Sequence, residues 1–169
     1  MKNIKGMKKY DHKNCQSLFG YSAEVHIRCK AKCQLCGCGG EPVDFDMWRQ
    51  LTVEHIIGKS QGGYLKEVHE LLKTRFPKYS ESEIKRISKQ IDSINTVTAC
   101  QFCNSATSRY KSEDTMDSLI LVTNTDLDTI LLNIQKACEE ILENKKETVK
   151  WKLESVREAF NDKVLSRLS

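Results

Sequence analysis

Glu54 and His55 stand side by side in Leu51-Thr-Val-Glu-His-Ile-Ile57, and Gly58 and Gly62-Gly63 follow at once. A neutral histidine, with an ordinary pKa of about 6.5, can take a proton near neutral pH, and a carboxylate can hold a hard cation. Cys33-Gln-Leu-Cys36 lies upstream and Cys100-Gln-Phe-Cys103-Asn104 downstream, so two Cys-x-x-Cys pairs bracket the histidine. Paired thiolates form closed tetrahedral zinc sites, and the set read from the sequence is Cys33, Cys36, Cys100 and Cys103. The gap between the pairs exceeds the ~15 to 20 residues of a compact zinc ribbon. His26, Cys29 and Cys38 crowd the first pair as further potential ligands. Zinc there would tie sequence-distant parts of the chain together, and its binding energy would be largely folding energy. Cys15 and Cys138 read as small buried hydrophobes.

Several elements must position these groups. Leu51 to Ile57 has strand composition, so Glu54 and His55 fall where a strand gives way to a glycine-rich loop. Neighbouring strand residues face opposite sides, so the strand must end or bulge there if both are to serve one site. Tyr21 to Lys32 reads as a short helix capped by Ser22, leading into a knuckle at Cys33 to Gly40. Between Tyr64 and Ile94 the period turns helical: Leu65, Val68, Leu71 and Leu72 form one stripe, and Ile84, Ile87, Ile91 and Ile94 a second, opened by the capping box Ser80-Glu-Ser-Glu83. This helical hairpin is inserted between the histidine and the second cysteine pair, with His69 a packing or surface residue. Asn95 to Ala99 returns to strand character, and a helix follows whose first turn carries Asn104.

The tail from Ser112 differs. Thr125-x-x-Asp128 caps a helix with Leu127, Ile130, Leu131, Ile134, Cys138, Ile141 and Leu142 on one side. A second stripe, Val149, Leu153, Val156, Phe160 and Val164, follows the charged Glu143-Asn-Lys-Lys-Glu147. Either two helices fold back within the chain, the preferred reading, or one long helix buries its stripe against a second copy in a homodimer.

At 169 residues and 19.4 kDa the chain is one domain, or one domain with an appendage, long enough to bury its own core. No apolar run approaches the ~18 residues that a membrane span needs. The basic start leads into no apolar segment, which suggests no secretory signal and a cytoplasmic, reducing setting. There, the eight cysteines mean ligands and buried thiols more than disulfides. A net charge of +4 permits nucleic-acid binding without demanding it. Up to Lys32, however, the basic residues are set against Asp11 and Glu24 alone, a balance suited either to lying along phosphates or to a solvated, partly disordered N-terminal arm. Every glycine lies at or before Gly63, and Pro42 and Pro77 are the only prolines, so the second half is expected to be mostly helical.

Taken in order, the residues resemble the HNH endonuclease family. The matching elements are Cys33-x-x-Cys36, Glu54-His55-Ile56, the Ser60-x-Gly62-Gly63 turn, Asn95 five residues before Cys100, and Cys100-x-x-Cys103-Asn104. The resemblance implies an α+β fold with a ββα-metal core and a structural Zn²⁺. It covers the nuclease core at 31–111, with the helical insertion at 64–94 unmatched, between the basic N-terminal segment (1–30) and the helical C-terminal region (112–169). Asn95 becomes the middle residue of the signature, expected to steady the loop or orient His55 without touching metal. Glu54 stands where the family more often has Asp, and Thr107 where a basic residue is common.

Phosphodiester hydrolysis needs a deprotonated water aimed at phosphorus and compensation for charge on the leaving 3′-oxygen. His55 is the expected general base. Glu54 and the side-chain oxygen of Asn104 are the expected holders of one catalytic Mg²⁺ or Mn²⁺, since Mg²⁺ keeps several waters and takes one or two protein ligands. Arg109 and Lys111 are candidate phosphate contacts. DNA is the expected partner, and restriction or other defence against foreign DNA the expected role. The competing class is a zinc-dependent nucleic-acid-binding module without catalysis, against which stands the joint presence of Glu54, His55 and Asn104.

Overall fold

A computed structural model describes residues 19–168. Cys15 and the basic residues up to Lys13 lie outside them. The described chain is α+β: mostly helix, with one small antiparallel sheet.

Helix α1 (Tyr21–Arg28) leads to the cysteine knuckle, and a short α2 (Phe45–Trp48) precedes strand β1 (Leu51–His55). After a 3₁₀ turn at Lys59–Gln61 come α3 (Leu65–Arg75) and α4 (Glu81–Asn95), then strand β2 (Thr96–Cys100) and α5 (Gln101–Thr107). Helix α6 (Met116–Ile120) and the 34-residue α7 (Leu127–Phe160) complete the main elements, and a π-turn at Asn161–Leu165 extends α7. β1 pairs with β2 in a register that sets Leu51 against Cys100 and His55 against Thr96. The sheet therefore brings the second cysteine pair to the start of β1 and leaves Glu54 and His55 at its far end.

The insertion forms the core. Val68 and Leu72 of α3, Ile84, Ile87 and Ile91 of α4, Met116 and Ile120 of α6, and Ile130, Ile134, Cys138 and Ile141 of α7 are buried in one cluster with Ile56 and Ile57. Each fully buried side chain of this size contributes about 1.5–3 kcal/mol relative to exposure. A smaller cluster joins Cys33, Leu35, Ala99 and Cys103 to Val149 of α7. One helix thus enters both clusters.

Helix α4 opens as its sequence promises, with Ser80 and Glu83 exchanging cap bonds. Other details differ. Helix α1 is shorter than the segment read, and Ser22 lies inside it; the cap position is Gly20. β1 ends at His55, because Ile56 and Ile57 turn into the core. Asn95 closes α4 instead of opening β2. Asp126, not Thr125, caps α7: its carboxylate accepts from Thr129 N at 2.8 Å, while the Thr125 hydroxyl turns to Thr123 O. The two tail stripes lie on one continuous helix, since neither Gly nor Pro interrupts it and the charged run between them is helix-compatible. Its first two-thirds pack within the chain, whereas Trp151, Val156, Phe160 and Val164 are exposed. No helix among the described residues is long and apolar enough to cross a membrane.

Candidate functional site

The loop after β1 is fastened by one side chain. Asn95, fully buried, accepts from Ile57 N at 2.7 Å through Oδ1 and donates through Nδ2 to Ile57 O at 3.1 Å and Gly63 O at 2.9 Å. Its own backbone carbonyl accepts from Ile56 N at 2.8 Å. Every polar capacity of the amide except one lone pair goes to the loop, and the Cys138 thiol approaches that Oδ1 at 3.6 Å. Gly63 is required here by space: a Cβ would come within 1.8 Å of Ile57 O and 2.8 Å of Asn95 Nδ2. The residues between these anchors, Gly58, Lys59 and Ser60, form one wall of a cleft of about 420 Å³.

Glu54, His55, Asn104, Thr107 and Lys145 line the same cleft. Glu54 is only 6% exposed, and its Oε1 accepts from Lys145 Nζ at 2.5 Å and from the Thr107 hydroxyl at 3.3 Å. Lys145, 2% exposed, also donates to the His55 carbonyl at 3.1 Å and lies 5.6 Å from the centre of the Tyr110 ring. A buried carboxylate needs such a partner, because an unpaired charge out of water is costly. The ammonium reaches Glu54 beside Thr107, the position where the sequence lacked a basic residue, and it arrives from α7. Sequence reasoning missed Lys145. The available signal was its place on the apolar stripe Ile134, Cys138, Ile141, Lys145, Val149, all buried on one face of α7.

His55 is half-buried at the end of β1, its ring 5.9 Å from that of Tyr64. Burial, and then the charges of Lys59 and Lys145, hold its pKa down to about 4. The imidazole is therefore neutral across the physiological range, and a weaker base than a free histidine. Asn104 donates through Nδ2 to Thr52 Oγ1 at 2.9 Å and more weakly to Val53 O at 3.4 Å, which ties α5 to β1. Its carboxamide oxygen and Glu54 Oε2 are the oxygens not engaged by these bonds. Arg109 and Lys111 are exposed and do not line the cleft.

At the other end of the sheet the cysteines converge. The sulfurs of Cys33, Cys36, Cys38 and Cys100 all lie within 4.8 Å of one another, and Cys36 Sγ is 3.9 Å from Cys100 Sγ. Tetrahedral zinc with Zn–S bonds of about 2.3 Å implies sulfurs about 3.8 Å apart, so these four cysteines can hold such an ion. Cys38 takes the place in this mutual set that the sequence reading gave to Cys103. Cys103, fully buried on α5, lies against the same group: a hydrogen bond from it, the largest influence, holds the Cys33 thiol well below its ordinary pKa. That bond and burial push Cys103 itself up, and burial does the same to Cys36 and Cys38. The knuckle closes because Gly39 adopts φ +82° with its α-carbon against Ala31 O, where a Cβ would come to 2.6 Å. His26 and Cys29 stay outside. His26 Nδ1 meets Thr98 Oγ1 at 2.9 Å, and Cys29 Sγ accepts from Thr98 N at 3.4 Å, so both brace β2.

No family model, curated protein or solved structure matches the chain.

Proposed function

We propose that the protein is a metal-dependent HNH-type DNA endonuclease with a ββα-metal core. The observation that carries this reading is that Glu54 and His55, the last residues of β1, share one cleft with Asn104 of α5. The strand pair, the helix that follows it and the adjoining cysteine cluster stand in the same order as the resemblance.

His55, unprotonated at neutral pH, takes the proton from a water aimed at phosphorus; its depressed pKa makes it a weaker base than a free histidine. Glu54, through Oε2, and Asn104, through its carboxamide oxygen, would hold Mg²⁺ or Mn²⁺. Such an ion, when bound, would supply charge compensation at the leaving 3′-oxygen. Lys145 and Thr107 fix the Glu54 carboxylate in place. Lys59 and Ser60, on the loop stapled by Asn95, face the same cleft and can contact phosphate oxygens. Asn95 acts through the loop and touches neither metal nor substrate. Zn²⁺ held by the cysteine cluster would tie the knuckle to the start of α5, where Cys100 stands. The exposed stripe of α7 would pair two copies, which is what cutting both strands with one site per chain requires. Restriction or other defence against foreign DNA is the role proposed.

The Lys145 ammonium on Glu54 favours a second reading, a zinc-dependent nucleic-acid-binding module without catalysis, because the carboxylate is already neutralised within the chain. Plasmid cleavage by wild type and His55→Ala, each loaded with zinc and assayed with Mg²⁺, with Mn²⁺ and with neither, separates the two. Cutting by wild type alone, and only with added metal, is expected. Equal cutting by His55→Ala would sink the nuclease assignment of the base, and DNA binding without cutting by either would favour the module.

A further inference from the structure

Helices α3 and α4 wall a second pocket, of about 520 Å³, that hydrolysis leaves unused. Its volume falls within the ~300–1,000 Å³ of small-molecule sites. His55 lines both this pocket and the cleft. A strand with a phosphate at His55 can thus place a neighbouring nucleotide in this pocket.

The lining suits a nucleobase. Tyr64, 45% exposed, stands at the boundary with its ring 5.9 Å from His55 and with Lys59 Nζ 4.7 Å from its centre. An exposed aromatic face of this kind stacks an unpaired base with little regard to sequence. Asp92, 7% exposed, also lines the pocket and accepts the Tyr21 hydroxyl at 3.0 and 2.9 Å on its two oxygens. Carboxylate lone pairs remain for the N–H groups of a base edge. Lys66, Lys85 and Lys89 are exposed along the pocket and supply positive charge for flanking phosphates. Stacking on Tyr64 takes an unpaired or extruded base, because a base within a duplex has both faces covered by its neighbours.

We infer that this pocket receives one unstacked nucleobase next to the scissile phosphate, which makes single-stranded or locally unpaired DNA the preferred substrate. The inference deepens the nuclease reading and rests on it for the position of the phosphate, but the binding it predicts does not require cleavage.

The test is equilibrium binding by fluorescence anisotropy, on zinc-loaded protein without Mg²⁺ or Mn²⁺. Three probes of equal length serve: oligothymidylate, a sugar-phosphate chain of abasic tetrahydrofuran units, and a thymine–adenine duplex. Wild type should bind oligothymidylate roughly tenfold or more tighter than either other probe, as loss of one stacked base predicts. That preference should survive Tyr64→Phe and collapse in Tyr64→Ala. Equal affinity for the bare and base-bearing chains overturns the inference with wild-type protein alone, and so does a preference that persists in Tyr64→Ala. Base-dependent binding together with no cleavage under any metal would keep the pocket and remove the nuclease; His55-dependent cleavage with no base preference would do the reverse.

Discussion

The Lys145 ammonium lies 2.5 Å from Glu54 Oε1, and both side chains are almost wholly buried. The pair joins the end of β1 to the middle of α7 across 91 positions of sequence. Lys145→Met leaves an uncompensated buried carboxylate and should cost about 3–5 kcal/mol. Adding Glu54→Gln to Lys145→Met removes that charge and should recover much of the loss, a coupling that a double-mutant cycle in urea would measure. A Lys145→Met variant as stable as wild type would show that the pair does not hold α7 to the strand.

Asn95→Ala strands the Ile57 amide and the Ile57 and Gly63 carbonyls in the interior. The expected loss is about 2–4 kcal/mol, from several buried groups left without partners. Asn95→Asp keeps the acceptor for Ile57 N but gives up both donated bonds. Hydrogen exchange should accordingly show the Ile57 amide exposed in the alanine variant and largely protected in the aspartate one. Protection of Ile57 in both would place its partner elsewhere.

His55 binds its proton less readily in the folded chain, at about 4, than at its ordinary 6.5. Between those values the unfolded chain holds more protons than the folded one, so stability rises with pH through the window. Conversely, it falls by at most about 3 kcal/mol as pH drops from 6.5 toward 4. His55→Gln should remove that part of the acid limb from urea curves taken at successive pH values. Lys59→Ala should raise the His55 midpoint, read by NMR titration of the ring. A wild-type midpoint near 6.5 would contradict the burial and charge described for the site.

A four-coordinate ion meets five converging thiols, the set of Cys33, Cys36, Cys38 and Cys100 with Cys103 against it. Either Cys38→Ser or Cys103→Ser still leaves four sulfurs, so each single variant should retain one zinc per chain by elemental analysis. Replacing both should abolish tight binding and lower the melting temperature, because structural zinc energy is folding energy. Loss of zinc in one single variant alone would instead identify that cysteine as irreplaceable.

Local patterns carried much of the architecture. The Val68/Leu72 and Ile84/Ile87/Ile91 stripes, the Ser80 box and the β-branched runs around Val53 and Val97 each encode their element within a few residues. The knuckle and the Glu54-His55 pair were equally visible, since spacing alone marks them. What escaped depends on contacts between distant segments. Lys145 read only as part of the charged run Glu143 to Glu147, because nothing near it in sequence reveals that Glu54 neutralises it. Helix α6 has only Met116 and Ile120 to bury, too few to show a period. The sequence reading placed Cys103 in the zinc set and left Cys38 outside it, whereas the mutual set holds Cys38, because the fourth position at the cluster depends on how the knuckle folds against α5.

Lys145 and Val149 come from the same helix, one reaching Glu54 and the other the cysteine cluster. The signature residues between Cys33 and Asn104 are thus not a transplantable unit. A fragment cut after Lys111, or a chimera joined anywhere between 112 and 144 to a foreign tail, would carry the whole motif and still strand the Glu54 charge. Descendants of this chain that exchange their C-terminal region must bring a matching cation with the new tail or neutralise Glu54 in the same step.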